Sequence, residues 1–98
     1  MAFELRIDAR AHLDVDEAVA GYMKKSVKAA EKLYTRIEEA YDSLELNPFF
    51  QVRYLDYRCL PIKGFPYMLH FTIDEDKQMV FIHALICTDK DPDKNWLK

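Results

Sequence analysis

The second half of the chain alternates cations with tyrosines, a combination that could hold a nucleic acid. The cations are Arg53, Arg58 and Lys63, and the tyrosines are Tyr54, Tyr57 and Tyr67. Lysine and arginine pair with phosphates, while the bases of single-stranded RNA stack on aromatic rings. The simpler alternative is a rim of salt-bridged residues at the ends of strands. The residues alone leave both interpretations open.

Histidine and cysteine supply the other reactive groups. His70 and His83 could face each other across two strands, but a metal site needs three or four ligands and nothing else stands at a fixed spacing from them. Cys87 beside a histidine would lack the third, orienting group of a nucleophilic site. Gly21 and Gly64 are the only glycines, so no phosphate-binding loop is present. The sequence predicts no metal, no cofactor and no nucleotide hydrolysis.

Four cations recur every fourth residue in the first half of the chain: Lys24, Lys28, Lys32 and Arg36. Acidic residues interrupt this stripe from neighbouring positions: Glu31, Glu38, Asp42 and Glu45. Opposite charges three or four residues apart stabilise an exposed helix surface. We therefore expect a solvated helix face there.

Composition limits the classes of protein to which the chain can belong. Its 98 residues predict one domain spanning 1–98, and 14 Lys and Arg against 17 Asp and Glu give a net charge of −3, unlike a general binder of phosphate backbones. Cys59 and Cys87 lie in apolar runs typical of buried, reduced thiols. No secretion signal or membrane-spanning run is recognisable, which favours a soluble, cytoplasmic protein without membrane contact.

The first half of the chain predicts a strand and two helices. The segment Phe3–Asp8 alternates apolar and polar residues, as a half-buried strand does. Asp14 and Glu17 resemble a capping box, which predicts that the first helix begins there. A second helical pattern follows Ser26 and ends at Asn47–Pro48, because the residue before proline disfavours the helical conformation. Periodicity alone does not separate a hairpin from one long helix, but an unpacked rod is improbable at this length.

Apolar residues recur every three or four positions along the second helix, which predicts the side that faces the core. The residues predicted on that side are Val27, Ala30, Tyr34, Ile37, Tyr41 and Leu44.

The second half predicts three antiparallel strands, over Tyr57–Ile62, Pro66–Asp74 and Gln78–Thr88. A two-residue turn at Asp76 and Lys77 sets their register. The pairs predicted to face the helices are Ile73–Val80, Phe71–Ile82, Leu69–Ala84 and Tyr67–Ile86. The pairs predicted on the other face are Met68–Leu85, His70–His83 and Thr72–Phe81.

That second face is too apolar for plain solvent, so we expect it either to dock a partner or to be covered by the tail that carries Trp96. The complete prediction is an α+β fold: an N-terminal strand, a two-helix hairpin and a three-stranded antiparallel meander.

This order of elements, and more specifically the local sequence, resembles the RelE/ParE superfamily of bacterial type II toxin-antitoxin toxins. The segments that carry the resemblance are LELNPFFQVRY from residue 44, YRCLPIKGFPYMLHFTIDED from residue 57 and VFIHALICTDKDPDKNW from residue 80. The family pattern has Asn-Pro after the second helix, Arg on the next strand, Phe-Pro-Tyr opening the third, and a late strand ending in a polar Asp-Pro segment. The match covers nearly the whole chain.

The resemblance implies a growth-inhibiting toxin, of the kind linked to plasmid stabilisation, that a cognate antitoxin neutralises by wrapping it. RelE-like members cut mRNA in the ribosome with basic residues of the sheet, whereas ParE-like members inhibit DNA gyrase. Arg58 matches the basic position of the second strand. Met68 stands where RelE-like nucleases commonly have Arg, and the last strand ends at Cys87, where His or Arg is common. Lys90 replaces the residue at that second position only in part.

These departures predict a toxin closer to the ParE side, which binds a protein target. The residues predicted to make a binding face are Tyr57, Tyr67, Met68, His70, Phe81 and His83. An mRNA endonuclease using Arg58, Lys63 and Lys90 is the enzymatic alternative, and a degenerate member that only binds its partner is the third.

Overall fold

Two helices pack on one face of a five-stranded sheet in the computed structural model, which describes residues 2–88. In chain order the elements are β1 (Glu4–Ile7), α1 (Ala9–Met23), α2 (Val27–Leu46), β2 (Val52–Tyr54), β3 (Tyr57–Pro61), β4 (Tyr67–Asp74) and β5 (Met79–Cys87). The predicted α+β class and helical hairpin are confirmed. Lys90 and Trp96 lie outside the described residues.

The sheet is mixed, with the strand order β1-β5-β4-β3-β2. β1 runs parallel to β5, and the other neighbours are antiparallel. β2 was not expected, because it has three residues and its turn to β3, Leu55–Asp56, contains neither glycine nor asparagine. Leu55 adopts a left-handed backbone conformation there (φ 48°), which glycine and asparagine normally occupy.

The predicted start of the first helix is wrong. α1 begins at Ala9, with Asp8 as an N-cap residue whose side chain makes no capping bond. Good helix formers such as Ala9 and Ala11 extend the helix upstream of Asp14. Asp14 lies inside α1, where its carboxylate accepts a hydrogen bond from the backbone N–H of Leu85 at 3.0 Å.

Both predicted ends of the second helix are confirmed. The Ser26 hydroxyl accepts a hydrogen bond from the Ala29 N–H at 3.2 Å, and α2 ends at Leu46, just before Asn47–Pro48. Its buried side chains are Ala30, Leu33, Ile37, Ala40 and Leu44. The buried stripe therefore differs from the predicted one. Leu33 and Ala40 are buried in the core, whereas Tyr34, predicted to face inward, is half exposed.

The register of β4 against β5 follows the prediction only near the turn. Ile73 pairs with Val80 and Phe71 with Ile82, as expected. The Gln78 N–H donates to the Glu75 carbonyl and closes the turn between the strands. The register then shifts at a bulge, and His83 is the extra residue of β5.

Beyond this bulge the predicted pairs are wrong. Leu69 pairs with Leu85, His70 with Ala84, Met68 with Ile86 and Tyr67 with Cys87, whereas the Thr72–Phe81 pair is confirmed. Leu85 thereby joins the core under the helices, and the smaller Ala84 faces the other way.

Both cysteines are free thiols; Cys59 is buried and Cys87 half-buried. Among residues 2–88 no helix is long and apolar enough to cross a bilayer.

Replacing Asp14 is expected to destabilise the fold. In Asp14→Ala the Leu85 N–H, which belongs to a nearly buried residue, loses its acceptor, so the free energy of unfolding should fall by about 1–3 kcal/mol. Urea denaturation measures this loss. Asp16→Ala, an exposed position on the same helix, is the matched control and should change stability by no more than about 0.5 kcal/mol. Equal effects at the two positions would show that the Asp14–Leu85 bond contributes nothing.

Candidate functional site

A cluster of tyrosines and histidines occupies the outer face of the sheet, which is the face turned away from the helices. Side chains alternate between faces along a strand, and Leu69, Phe71 and Ile82 point into the core. Their neighbours therefore point outward: Tyr57, Cys59, Met68, His70, Thr72, Phe81, His83 and Ala84. Tyr54 reaches the same face from β2.

Tyr54 and Tyr57 are held together by the turn between β2 and β3. They are direct cross-strand partners on either side of the two-residue turn, and their ring centroids lie 5.0 Å apart. The Tyr54 ring also lies 5.9 Å from the imidazole of His70, and the Tyr57 ring meets His83 edge-on at 5.1 Å. The hairpin thus places one phenol over each histidine.

His70 is the most deeply buried member of the cluster, with 2% of its surface exposed. Its Nδ1 lies 3.1 Å from the Tyr54 hydroxyl and 3.7 Å from the Cys59 sulfur. Burial, assisted by the positive charges of Arg53 and Arg10, lowers the pKa of His70 from 6.5 to about 4. The imidazole is therefore neutral at neutral pH and serves as a hydrogen-bonding group.

His83 is half-buried and paired with a hydroxyl. Its Nε2 lies 2.8 Å from Thr72 Oγ1. Burial lowers the pKa of His83, and the negative charge of Asp8 opposes this shift in part. The bulge separates His83 from His70 along the register, so the two histidines do not form the cross-strand pair expected from the sequence.

The cluster lines a shallow groove of about 280 Å³. The lining residues are Asp8, Arg10, Tyr54, Tyr57, His70, His83, Ala84 and Ile86. Two neutral imidazoles, two phenols and one guanidinium can hydrogen-bond and stack. Among residues 2–88 no group of three histidine, cysteine or acidic side chains is placed to hold a metal.

Arg58 lies on the opposite face from this groove's histidines. It pairs with the core residue Phe71, and its guanidinium donates to the Phe50 carbonyl at 2.7 Å. The same guanidinium lies 5.6 Å from the centre of the Phe49 ring. Arg58 thus fastens the segment after Asn47–Pro48 to the sheet.

The structure does not bring the other predicted residues together around Arg58. Lys63 is exposed in the turn after β3. It follows Arg58 by five residues, which corresponds to about 16 Å at the rise of a β-strand. Tyr67 packs against the core on the helix side, while Met68 and Phe81 are half-buried on the outer face. Lys90 lies outside the described residues.

Sequence analysis did not associate Tyr54, Cys59 or Asp8 with the histidines. The spacing of Tyr54 and Tyr57 around two residues was a usable signal, but the turn Leu55–Asp56 does not look like a hairpin turn. Asp8 and Arg10 reach the groove from the junction between β1 and α1. That contact depends on the parallel pairing of β1 with β5, which a local pattern does not encode.

The buried state of His70 predicts a loss of stability in acid. The folded pKa is about 4 and the unfolded value is 6.5, so the unfolded state binds more protons in between. Stability is full above pH 6.5 and should fall by about 3 kcal/mol towards pH 4 on account of this group alone. Chemical denaturation at several pH values, compared with His70→Gln, isolates this contribution from that of the carboxylates. His12→Gln, at an exposed position, should keep the full pH dependence; identical profiles for wild type and His70→Gln would contradict the prediction.

The Arg58 contacts predict a structural role for this residue. Arg58→Ala removes a charge-assisted hydrogen bond and the contact with Phe49, and should lower the free energy of unfolding by about 1–3 kcal/mol. Thermal unfolding measures this. Arg53→Ala, an exposed cation on the neighbouring strand, should change stability much less. If Arg58→Ala were as stable as the wild type, the structural role would be contradicted and the guanidinium would be available for a functional role.

Comparison with solved structures gives several matches, all at low sequence identity. The chromosomal ParDE TA system from P. aeruginosa superposes with a TM-score of 0.72 at 17% identity, over 88% of this chain and 96% of that one. A mutant of the E. coli toxin RelE in the free state gives 0.63 at 17%, over 94% and 90%. The archaeal RelE-RelB complex from Pyrococcus horikoshii gives 0.55 at 18%, over 92% and 99%.

A scan against protein-family models and a search of curated proteins give no match. The likeness therefore lies in the three-dimensional arrangement, and it extends over nearly the full length of both chains in each comparison. A strand, a helical hairpin and an antiparallel meander in this order are what the chain shares with these proteins. The chain has the fold of the RelE/ParE toxins.

Proposed function

We propose that this chain is the toxin of a bacterial type II toxin-antitoxin pair, is neutralised by a cognate antitoxin, and acts by binding a protein target. The fold supports the first part, since the similar structures include a ParDE system and RelE-RelB complexes. Inhibition of DNA gyrase is the specific activity suggested by analogy with ParE. A cytoplasmic location follows from that target.

The engagement of Arg58 is the observation that carries the choice of a protein target over RNA cleavage. Cleavage without a metal needs a base for the 2'-hydroxyl and cations at the scissile phosphate. The Arg58 guanidinium is held by the Phe50 carbonyl and the Phe49 ring, and Lys63 lies beyond the end of β3, in the turn that follows it. His70 is neutral but only 2% exposed, and its Nδ1 already contacts the Tyr54 hydroxyl at 3.1 Å.

The net charge of −3 supports the same choice, because a nuclease that enters the ribosome gains from attraction to RNA. We assign the target contact to the half-buried residues of the outer face: Tyr57, Met68, Phe81 and His83. Tyr67 and His70 are left out of this surface, since the first faces the helices and the second is covered.

A ribosome-dependent mRNA endonuclease is the second candidate, and the groove favours it. Tyr57, His83 and Arg10 line one concavity, which places an aromatic ring, an imidazole and a cation side by side. Stacking on Tyr57 and proton transfer by His83 are the roles this function requires. The scissile phosphate also needs a cation, and Arg10 is the cation in the groove lining.

Expression of the chain alone in a bacterium, with the 5'-ends of transcripts mapped in the same culture, tests these functions. We expect growth arrest without new codon-spaced ends, and inhibition of supercoiling when the purified chain is added to DNA gyrase and relaxed plasmid. Leu44→Asp, which buries a charge in the core, is the unfolded control and should neither arrest growth nor inhibit gyrase.

Arrest with codon-spaced ends would establish the endonuclease instead. Arrest with neither new ends nor gyrase inhibition would leave a protein target other than gyrase. Unimpaired growth despite soluble, folded protein would overturn the toxin function and favour a member that only binds its partner.

A further inference from the structure

The segment that carries Tyr54 is weakly attached to the rest of the sheet. β2 has three residues, lies at the edge of the sheet and pairs with β3, with an irregularity in the register between Val52 and Tyr54. Val52, Arg53, Leu55 and Asp56 are all exposed. An edge segment with few buried side chains is the part of a fold that opens at the lowest cost in free energy.

The turn at the tip of this segment has a backbone conformation that its residue disfavours. Leu55 has a φ of 48°, in the left-handed region, and its side chain is 84% exposed. The left-handed conformation costs free energy in a residue that has a Cβ atom, and burial of the leucine side chain does not compensate for that cost here. The turn is therefore strained while β2 is paired, and opening relieves the strain.

The two ends of the segment are fixed to the sheet and to each other. The Arg58 guanidinium donates to the Phe50 carbonyl at 2.7 Å, which ties the residue after the segment to the residue before it. The Phe50 ring meets the core residue Phe71 edge-on, with 6.3 Å between the centroids, and Arg58 pairs with Phe71 across β3 and β4. Residues 51–57 thus form a loop that is closed at its base, here called the Tyr54 flap.

Tyr54 is the side chain that joins the flap to the outer face of the sheet. Its hydroxyl lies 3.1 Å from His70 Nδ1, and its ring lies 5.9 Å from the imidazole between centroids. The Cys59 sulfur lies 3.7 Å from the same Nδ1, and His70 and Cys59 are only 2% and 5% exposed. Both helices pack on the other face, so neighbouring side chains on the outer face, Tyr54 among them, supply this burial.

We infer that the Tyr54 flap opens while the rest of the sheet stays folded, and that opening exposes the Cys59 thiol and the His70 imidazole to solvent. The flap gives up the contact of the Tyr54 hydroxyl with His70 and two register pairs with β3, and the strain of its turn is released in return. The open state adds a thiol and a freely accessible imidazole to the groove that His83 and Arg10 line. The flap goes beyond the proposed function and does not depend on it.

The reactivity of Cys59 measures flap opening on the purified full chain. The chain has two cysteines, so Cys87→Ser leaves Cys59 as the single thiol. Iodoacetamide is added to this parent variant in native buffer, and the alkylated fraction is followed by mass spectrometry. We expect labelling at a rate that low concentrations of urea leave nearly unchanged, because local opening exposes little surface.

Two substitutions in the flap should shift its opening in opposite directions. Tyr54→Phe removes the hydroxyl that contacts His70 and should speed the labelling of Cys59 about 5-fold, which is the effect of one ordinary hydrogen bond on an equilibrium. Leu55→Gly relieves the left-handed turn and should slow labelling about 3-fold. Tyr34→Phe, at a half-exposed tyrosine of α2, is the matched control and should leave the rate unchanged.

A variant that weakens the core separates flap opening from global unfolding. Ile37→Val removes a buried methyl group of α2, so it should raise the population of the unfolded state about 5-fold and leave the labelling rate of Cys59 unchanged. Labelling that accelerates as much as the fold is destabilised would show exposure by global unfolding and overturn the flap. Folded protein that is never labelled, or equal rates for Tyr54→Phe, Leu55→Gly and the parent, would overturn it as well. These rates involve neither growth arrest nor gyrase, so they test the flap separately from the proposed function.

Discussion

One hydrogen bond, from the Leu85 N–H to the carboxylate of Asp14, fastens the last strand of the sheet to α1. It lies at the bulge of β5, where His83 is the extra residue, and it ties that strand to the helix packed above it. Without the bulge, strict alternation would turn Ala84 into the core and Leu85 outward. With it, Leu85 fills the space under the helices and His70 lies opposite Ala84. On that outer face the Tyr54 hydroxyl lies 3.1 Å from His70 Nδ1.

This constraint separates the residues that hold the fold from those left for binding. Arg58 and Asp14 are charged, yet both are used in fixing backbone: one holds the Phe50 carbonyl and the other the Leu85 amide. Charge alone is therefore a poor guide to chemistry in this chain. Large apolar side chains also stay at the surface: Met23 and Val27 are exposed on the helices, and Phe81 is half-buried on the sheet. Surfaces of this composition suit protein contact better than phosphate contact.

Much of the fold could be predicted from local patterns, and the failures share a physical cause. The end of α2 at Asn47–Pro48, the Ser26 cap and the β4–β5 register next to the turn all depend on neighbouring residues, and all were predicted. The strand β2 and the bulge at His83 depend on tertiary contacts. At the start of α1 the helix formers Ala9 and Ala11 outweighed the capping-box spacing at Asp14, and in the β2–β3 turn a leucine occupies a position that glycine normally marks. The cluster of Tyr54 with His70 was missed for the same reason, since it requires the unexpected strand β2.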